Sequence, residues 1–272
     1  MVAFPNCKIN LGLHITQKRA DGYHNIETVF YPIAFNDILE IIPTNSPNNV
    51  EYNSSGISIS GNSADNLCVK AYHLLKKDFP KIPSIQMHLH KNIPMGAGLG
   101  GGSADGSFAL KMMNQQFQLN LSDAQLIQYA LLLGSDCPFF ILNTACIGKG
   151  RGELLTPIEL DFSSHKIQII NPGIHINTGW AFSQINPTQP ILSIEQIIQQ
   201  PIEAWKGKLT NDFEPPVCKQ YPEIALLINQ LYKANAVYAA LSGSGSTVFA
   251  LFKKSDPIQI SVPDHYYTKL VD

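Results

Sequence analysis

The run Cys7-Lys-Ile-Asn-Leu-Gly-Leu-His-Ile15 alternates apolar and polar residues. As a strand it puts Ile9, Leu11, Leu13 and Ile15 on one face and Lys8, Asn10 and His14 on the other. Asp21-Gly-Tyr-His24 reads as a turn, and apolar residues then resume from Ile26 to Ile42 as further strands, broken around Asn36-Asp37. Residues 43–63, rich in Asn, Ser, Pro and Gly, read as a loop or weak hairpin. Leu67, Ala71, Leu74 and Leu75 recur at helical spacing between Asn66 and Phe79. Ile85-Gln-Met-His-Leu-His90 alternates again, and helices follow over 104–117 and 122–133, the second opened by Ser122-Asp-Ala-Gln125 as a capping box. Gly134-Ser-Asp-Cys-Pro138 ends that helix, and Phe139-Phe-Ile-Leu142 reads as a short apolar strand.

The glycine-rich, basic Gly148-Lys-Gly-Arg-Gly152 and the following Pro157 mark a domain boundary, which divides the chain into 1–152 and 153–272. Beyond it come a strand over Lys166–Asn171 and helices near 193–200 and 222–235, the latter carrying Ile224, Leu227, Ile228 and Leu231. Val237–Leu241 and Thr247–Phe252, joined by Ser242-Gly-Ser-Gly-Ser246, read as a β-hairpin. Strands mix with helices but lack the continuous apolar runs of a parallel sheet, so the expected class is α+β in two domains.

Composition narrows the setting more than the chemistry. In 272 residues with 44% hydrophobic content there is ample material for one large or two modest cores. A formal charge of −2 without basic runs argues against nucleic acid or an anionic membrane as the main partner. The five cysteines are scattered with no Cys-x-x-Cys pair, which suggests neither a disulfide framework nor a zinc site. Pro5 and Lys8 fall where a signal peptide needs its apolar core, and no apolar run is long enough to span a bilayer. The expectation is a cytoplasmic protein.

The chemistry is concentrated in one block, Pro94-Met95-Gly96-Ala97-Gly98-Leu99-Gly100-Gly101-Gly102-Ser103-Ala104. Glycines at that density allow positive φ and close approach of backbone N–H groups to a ligand. A helix starting just after them adds unpaired amides and the positive end of its dipole, a combination suited to phosphate. Gly96-x-Gly98-x-x-Gly101 formally satisfies the dinucleotide fingerprint, with Asp123 near the position of its ribose-binding acid. The alternating strand before it and the intervening Lys91-Asn-Ile-Pro94 do not suit that fold, and Asp123 is accounted for by the capping box. No Gly-Lys-Ser/Thr follows, and neither His-Arg-Asp nor Asp-Phe-Gly occurs, so the P-loop and protein-kinase patterns fail as well.

Three blocks stand in order: Lys8-Ile-Asn-Leu with Ala20-Asp-Gly-Tyr-His24, the glycine block, and Leu241-Ser-Gly-Ser-Gly-Ser-Thr-Val-Phe249. Together they resemble the GHMP kinases, small-molecule kinases named for galactose, homoserine, mevalonate and phosphomevalonate. Arg19-Ala-Asp-Gly-Tyr-His24, Ala64-Asp-Asn-Leu67, Gly134-Ser-Asp136 and Asn211-Asp-Phe-Glu214 extend the likeness over nearly the whole chain, and Asp21-Gly-Tyr-His24 narrows it to the branch whose acceptor is the cytidyl diphosphate of methylerythritol. The resemblance implies an N-terminal domain like ribosomal protein S5 domain 2, a ferredoxin-like C-terminal domain and a left-handed β-α-β crossover, an exception to the usual hand. It implies ATP and Mg²⁺ and transfer of a phosphoryl group to the 2-hydroxyl of that acceptor, in the non-mevalonate route to isoprenoids. A monomer or homodimer is expected. Two departures stand out: Gly106-Ser107 replaces a small Ala pair, and Thr178-Gly-Trp-Ala-Phe182 carries an inserted Gly-Trp where the family has a Thr and an aromatic near substrate.

Site residues follow from the same likeness. Lys8 and Asp136 match the lysine and aspartate that act on the acceptor hydroxyl; taken alone, Lys8 would be an ordinary lysine on a strand's polar face and Asp136 a turn residue. Pro94 to Ala104 match the triphosphate loop, with Ser103 at the β-phosphate or Mg²⁺, while Asn66 and Lys91 match the adenosine pocket. Tyr23 and His24 match cytosine recognition, the ring for stacking and the imidazole for the base edge. Asn10, Thr178, Phe182, Ser242 and Gly243 match the remaining acceptor contacts, the Ser242–Ser246 turn offering N–H groups to a diphosphate. His14, His73, His88 and His90 read as structural or surface residues. Two rival functions stay open: a GHMP kinase for another alcohol, and a non-catalytic nucleotide-binding regulator on the same fold.

Overall fold

A computed structural model describes all 272 residues. In chain order it forms β1 (Val2–Ala3), β2 (Asn6–Lys18), β3 (His24–Asn36), β4 (Ile38–Thr44), β5 (Val50–Gly56), α1 (Leu67–Asp78) and β6 (Ser84–Lys91). Next come α2 (Gly101–Gln116), α3 (Asp123–Leu133), α4 (Cys137–Leu142), β7 (Cys146–Lys149), β8 (Leu154–Pro157) and β9 (His165–Asn171). The chain continues with α5 (Thr178–Ser183), α6 (Ile194–Ile198), α7 (Glu214–Gln220), α8 (Pro222–Lys233), β10 (Tyr238–Leu241), β11 (Val248–Lys253) and β12 (Tyr267–Val271). These elements divide between two compact units, neither continuous in sequence. The first holds residues 1–7, 34–95 and 100–144; the second holds 8–33, 96–99 and 145–272. No helix is long and apolar enough to cross a membrane.

The first unit is built on a sheet of order β1-β4-β6-β5. Alternation sends Leu39, Ile41, Ile85, Met87 and Leu89 to one face, where they meet Tyr72, Leu75, Leu110 and Met113 of the helices. The segment read as loop or weak hairpin contains β5, which runs parallel to β6 from Val50 opposite Ile85 to Gly56 opposite Lys91. As an edge strand it places only Val50 and Tyr52 against the core and leaves Asn53, Ser54 and Ser55 exposed, so no strong alternation marks it. The run over 139–142 is likewise corrected: α4 is a helix with Pro138 in its first turn, and Cys137 through Ile141 are all buried. A short run buried all round has no period to separate helix from strand.

The second unit carries two sheets, β2-β3-β7-β8 and β10-β11-β9-β12. Gly148–Gly152 lies at the end of β7 and in the turn to β8, in a hairpin paired from Cys146 opposite Pro157 to Lys149 opposite Leu154. The β10–β11 hairpin forms as the sequence predicts, closing with Leu241 opposite Val248. Amphipathic α8 lays Ile224, Leu227, Ile228 and Leu231 on a core that includes Phe213, Leu241, Val248 and Ala250. In β2 every residue from Asn6 to Ile15 is buried. Its polar face is therefore interior, which is what sets up part of the site.

Candidate active site

The glycine block belongs to both units. Gly96, Gly98 and Gly100 take positive φ of 62°, 77° and 70°. Gly101 and Gly102 do not; they are the first two residues of α2, which starts three residues earlier than its sequence suggests. In the second unit, Gly98 packs so closely that a Cβ would stand 2.0 Å from the Ser242 carbonyl oxygen. The Gly98 carbonyl accepts bonds from Lys8 Nζ at 3.1 Å and Ser242 Oγ at 2.9 Å. In the first unit, Gly100 is the N-cap of α2 and offers no side chain to the helix. The amides of that first turn have no partner within the helix, and the dipole of a 16-residue helix favours an anion there.

Beside this turn lies a cavity of about 510 Å³, lined among others by Tyr52, Asn66, Leu67, Met95 and Gly102. Asn66 caps α1 through a 2.9 Å bond from Cys68 N, and its amide donates to the Tyr52 hydroxyl at 2.9 Å. Lys91 also lines the cavity, but its ammonium is held by Asp37 and, at 2.7 Å, by Asp105. Asp37 Oδ1 in turn accepts from the amides of Asn92 (2.6 Å) and Ile93 (2.9 Å). Desolvation pulls the Lys91 ammonium down, but the two carboxylates outweigh it and its pKa stands above the ordinary lysine value. Asp105 is pushed up, first by desolvation and against the pull of Lys91, with Asp37 adding to the rise. Neither aspartate was singled out from the sequence; a lone acid between strands or inside a helix carries no signal until its burial is seen.

The first departure from the family pattern has a packing reason. A Cβ on Gly106 would lie 2.8 Å from Leu67 Cβ, and Ser107 Oγ donates at 2.8 Å to the Cys137 carbonyl. That bond ties α2 to α4 next to Asp136, which is the half-buried N-cap residue of α4 and makes no side-chain cap bond. Ser103, in the first turn of α2, is half-buried, and Ala104 is fully buried. Nowhere do three or more His, Cys, Asp or Glu side chains gather as a metal site.

The second unit gathers the other polar residues. Lys8 is buried; its ammonium donates to Asn10 Oδ1 and lies 5.4 Å from the centre of the Phe30 ring. Asn10 Nδ2 donates to Thr28 Oγ1 at 3.0 Å, and Asn10 N to Ser242 Oγ at 3.3 Å. The Ser242–Ser246 turn is fixed by Asn211, whose amide donates to the carbonyls of Leu241 and Gly243, both at 2.8 Å. Gly243 has a φ of 56°. Thr178 and Ser244 share a hydrogen bond of 3.2 Å. His24 stacks on Phe182 with centroids 4.7 Å apart and planes within 15°, and Phe182 meets Phe213 edge-on at 4.9 Å. Burial, helped by the Lys18 charge, lowers the His24 pKa, which favours the neutral imidazole with its one donor and one acceptor. Tyr23 is 54% exposed. The inserted Trp180 packs edge-on against Tyr221 at 6.1 Å, which gives it a structural role. His14 is buried against Thr210, and His88 and His90 share the Ser55 hydroxyl.

Lys8, Asn10, Gly98 and Ser242 thus form one cluster, His24 and Phe182 another, and Asn66, Lys91 and Gly102 line one cavity. With that geometry in place, likeness to known proteins is specific. Residues 66–144 match the GHMP kinases N-terminal domain and residues 193–262 the GHMP kinases C-terminal domain. A protein of Bacteroides fragilis named 4-diphosphocytidyl-2-C-methyl-D-erythritol kinase is 48% identical over 95% of this chain and 94% of its own. Its namesake in Bacteroides thetaiotaomicron is 50% identical over 93% and 92%. A crystal structure of 4-(cytidine 5'-diphospho)-2C-methyl-D-erythritol kinase superposes with a TM-score of 0.78 at 28% identity, covering 92% of this chain and 90% of that one. By fold, by domain match and by identity over nearly its full length, the chain belongs to the GHMP kinases, within the family of 4-diphosphocytidyl-2-C-methyl-D-erythritol kinases.

Proposed function

We propose that the protein transfers the γ-phosphoryl group of ATP to the 2-hydroxyl of 4-diphosphocytidyl-2-C-methyl-D-erythritol, giving the 2-phosphate and ADP. The observation that carries this reading is His24, stacked on Phe182 and adjacent in sequence to the exposed ring of Tyr23. A stacking face and an imidazole edge suit a nucleobase on the acceptor, which mevalonate and homoserine lack. Retention of Lys8 and Asp136 favours a catalyst over an idle nucleotide binder.

In this reading the first-turn amides of α2 bind the triphosphate and the adjoining cavity takes the nucleoside, with Asn66 and the Lys91 segment at its wall. The first turn of α2, with the Ser103 hydroxyl, would hold Mg²⁺ together with the triphosphate, and the ion would supply charge neutralisation on the transferring group. Asp136 accepts the 2-hydroxyl proton as that oxygen bonds to the γ-phosphorus and ADP leaves with its bridging oxygen. Lys8, held in place by Asn10 and Gly98, supplies positive charge to the acceptor oxygen as it becomes anionic. Asn10, Ser242 and Gly243 hold the acceptor diphosphate, and Thr178 and Phe182 complete its pocket. We assign residues 1–152 to the N-terminal and 153–272 to the C-terminal domain, around the family matches at 66–144 and 193–262, and place the enzyme in the cytoplasm as a monomer or homodimer, without a nucleic-acid or membrane partner.

A coupled assay of ADP release tests the reading with three acceptors: the cytidyl diphosphate of methylerythritol, mevalonate and homoserine. Turnover with the first alone is expected. Turnover with mevalonate or homoserine and none with the cytidyl compound overturns it.

A further inference from the structure

The basic stretch Gly148-Lys-Gly-Arg-Gly152 has no part in the reaction as described, yet one of its side chains reaches the Asp21–His24 turn. The Arg151 guanidinium stands 4.8 Å from the centre of the Tyr23 ring. Tyr23 N donates to Asp21 Oδ1 at 3.1 Å, and Tyr23 O accepts from Arg19 N at 2.8 Å. Those bonds fix its backbone and leave the ring to be oriented by what lies on it. Arg151 is itself held: its backbone N donates to the Glu153 carboxylate, and its Nε lies 3.7 Å from Glu153 Oε1. The hairpin tip is also tied down, because the Gly150 carbonyl accepts from Ile26 N at 2.7 Å, two residues beyond His24. Gly150 has a φ of 70°, and a Cβ there would meet the Glu153 carboxylate at 2.8 Å. The tip is therefore anchored on either side of Arg151, by Ile26 and by Glu153.

We propose that Arg151 is a positioning residue for base recognition: its guanidinium covers one face of Tyr23 and fixes the ring so that the opposite face receives the pyrimidine of the acceptor. The inference rests on the acceptor being a cytidyl diphosphate. A half-exposed tyrosine on a turn samples several rotamers, whereas a base stack needs one of them. A guanidinium lies flat on the ring and attracts its negative face, which a lysine ammonium does less well because it has no plane to stack. Glu153 pairs with Arg151, and the Arg151 charge also bears on Asp21 of the same turn.

Steady-state kinetics of the full-length enzyme decide it. Arg151→Gln raises KM for the cytidyl substrate about three- to tenfold, while kcat and the KM for ATP hold at wild-type values. Arg151→Lys recovers only part of the loss. In a Tyr23→Ala background, Arg151→Gln adds nothing further, because the ring through which it acts is already gone. An unmoved KM in Arg151→Gln overturns the proposal by making the contact idle, and an additive loss in the double variant overturns it by having Arg151 touch the substrate itself. Wild-type protein that phosphorylates another alcohol and ignores the cytidyl compound overturns the acceptor reading and this proposal with it; wild-type turnover with unmoved variants overturns this proposal alone.

Discussion

Asp136 reaches its position as the N-cap of a six-residue helix whose remaining residues are buried through Ile141. Backbone burial of that kind holds a side chain in place whatever its charge, so replacing carboxylate by amide should alter chemistry and spare the fold. Asp136→Asn is expected to lower kcat by about a hundredfold to ten-thousandfold, the usual cost of losing a general base, with ATP affinity little changed in a calorimetric titration. A variant with near wild-type turnover would remove Asp136 from the mechanism. Residue identity carried part of this site in plain view: Lys8 and Asn10 sit at alternate positions, so a shared face was legible. What no pattern announced is that this face is interior, with Lys8 3% exposed and over an aromatic ring. Asp37 and Asp105 stayed hidden for a related reason. Their meaning comes from Lys91, which is 54 residues from one and 14 from the other, and only folding brings the three together.

Among elements, the turn into α2 separates glycines needed for folding from glycines needed for binding. Gly98 has both a left-handed φ and the Ser242 carbonyl where a Cβ would go, whereas Gly102 is helical and exposed with open space around it. Gly102→Val should therefore melt within a few degrees of wild type and lose at least about tenfold in ATP affinity, since a branched side chain would occupy the space next to the first-turn amides. Gly98→Ala should melt clearly earlier, through strain and collision with the backbone. Thermal melts paired with calorimetry check both; Gly102→Val binding ATP as wild type does would mean that this turn does not hold the phosphates. Where an element has a clean period or a turn of its own, the sequence reads true, as in α8 and the β10–β11 hairpin. It reads poorly at β5, a polar edge strand whose partner lies beyond α1, and at α4, whose apolar residues are buried on every side.

At the scale of the whole molecule, the proposed nucleotide residues Asn66, Lys91 and Gly100 to Ala104 fall in one compact unit, and the proposed acceptor residues Asn10, Tyr23, His24, Thr178, Phe182, Ser242 and Gly243 in the other. Hydrogen exchange can read each ligand separately. A non-hydrolysable ATP analogue is expected to slow exchange over 52–67 and 100–104, and the cytidyl substrate over 21–24 and 178–182; protection by the cytidyl compound confined to 52–67 would reassign the pockets. The discontinuity of the units is the part of the architecture that linear reading could not reach, because a chain that re-enters a unit leaves no linker to mark the passage. It also sets a timetable for birth on the ribosome. β3 ends at Asn36, but β7, the strand that covers its open side, begins only at Cys146. At typical rates of synthesis the intervening stretch takes on the order of ten seconds to emerge. For that interval the nascent chain carries an uncovered strand edge, a template for pairing with other chains. The yield of native enzyme in a cell therefore depends on what shields that edge until the second half of the message has been read.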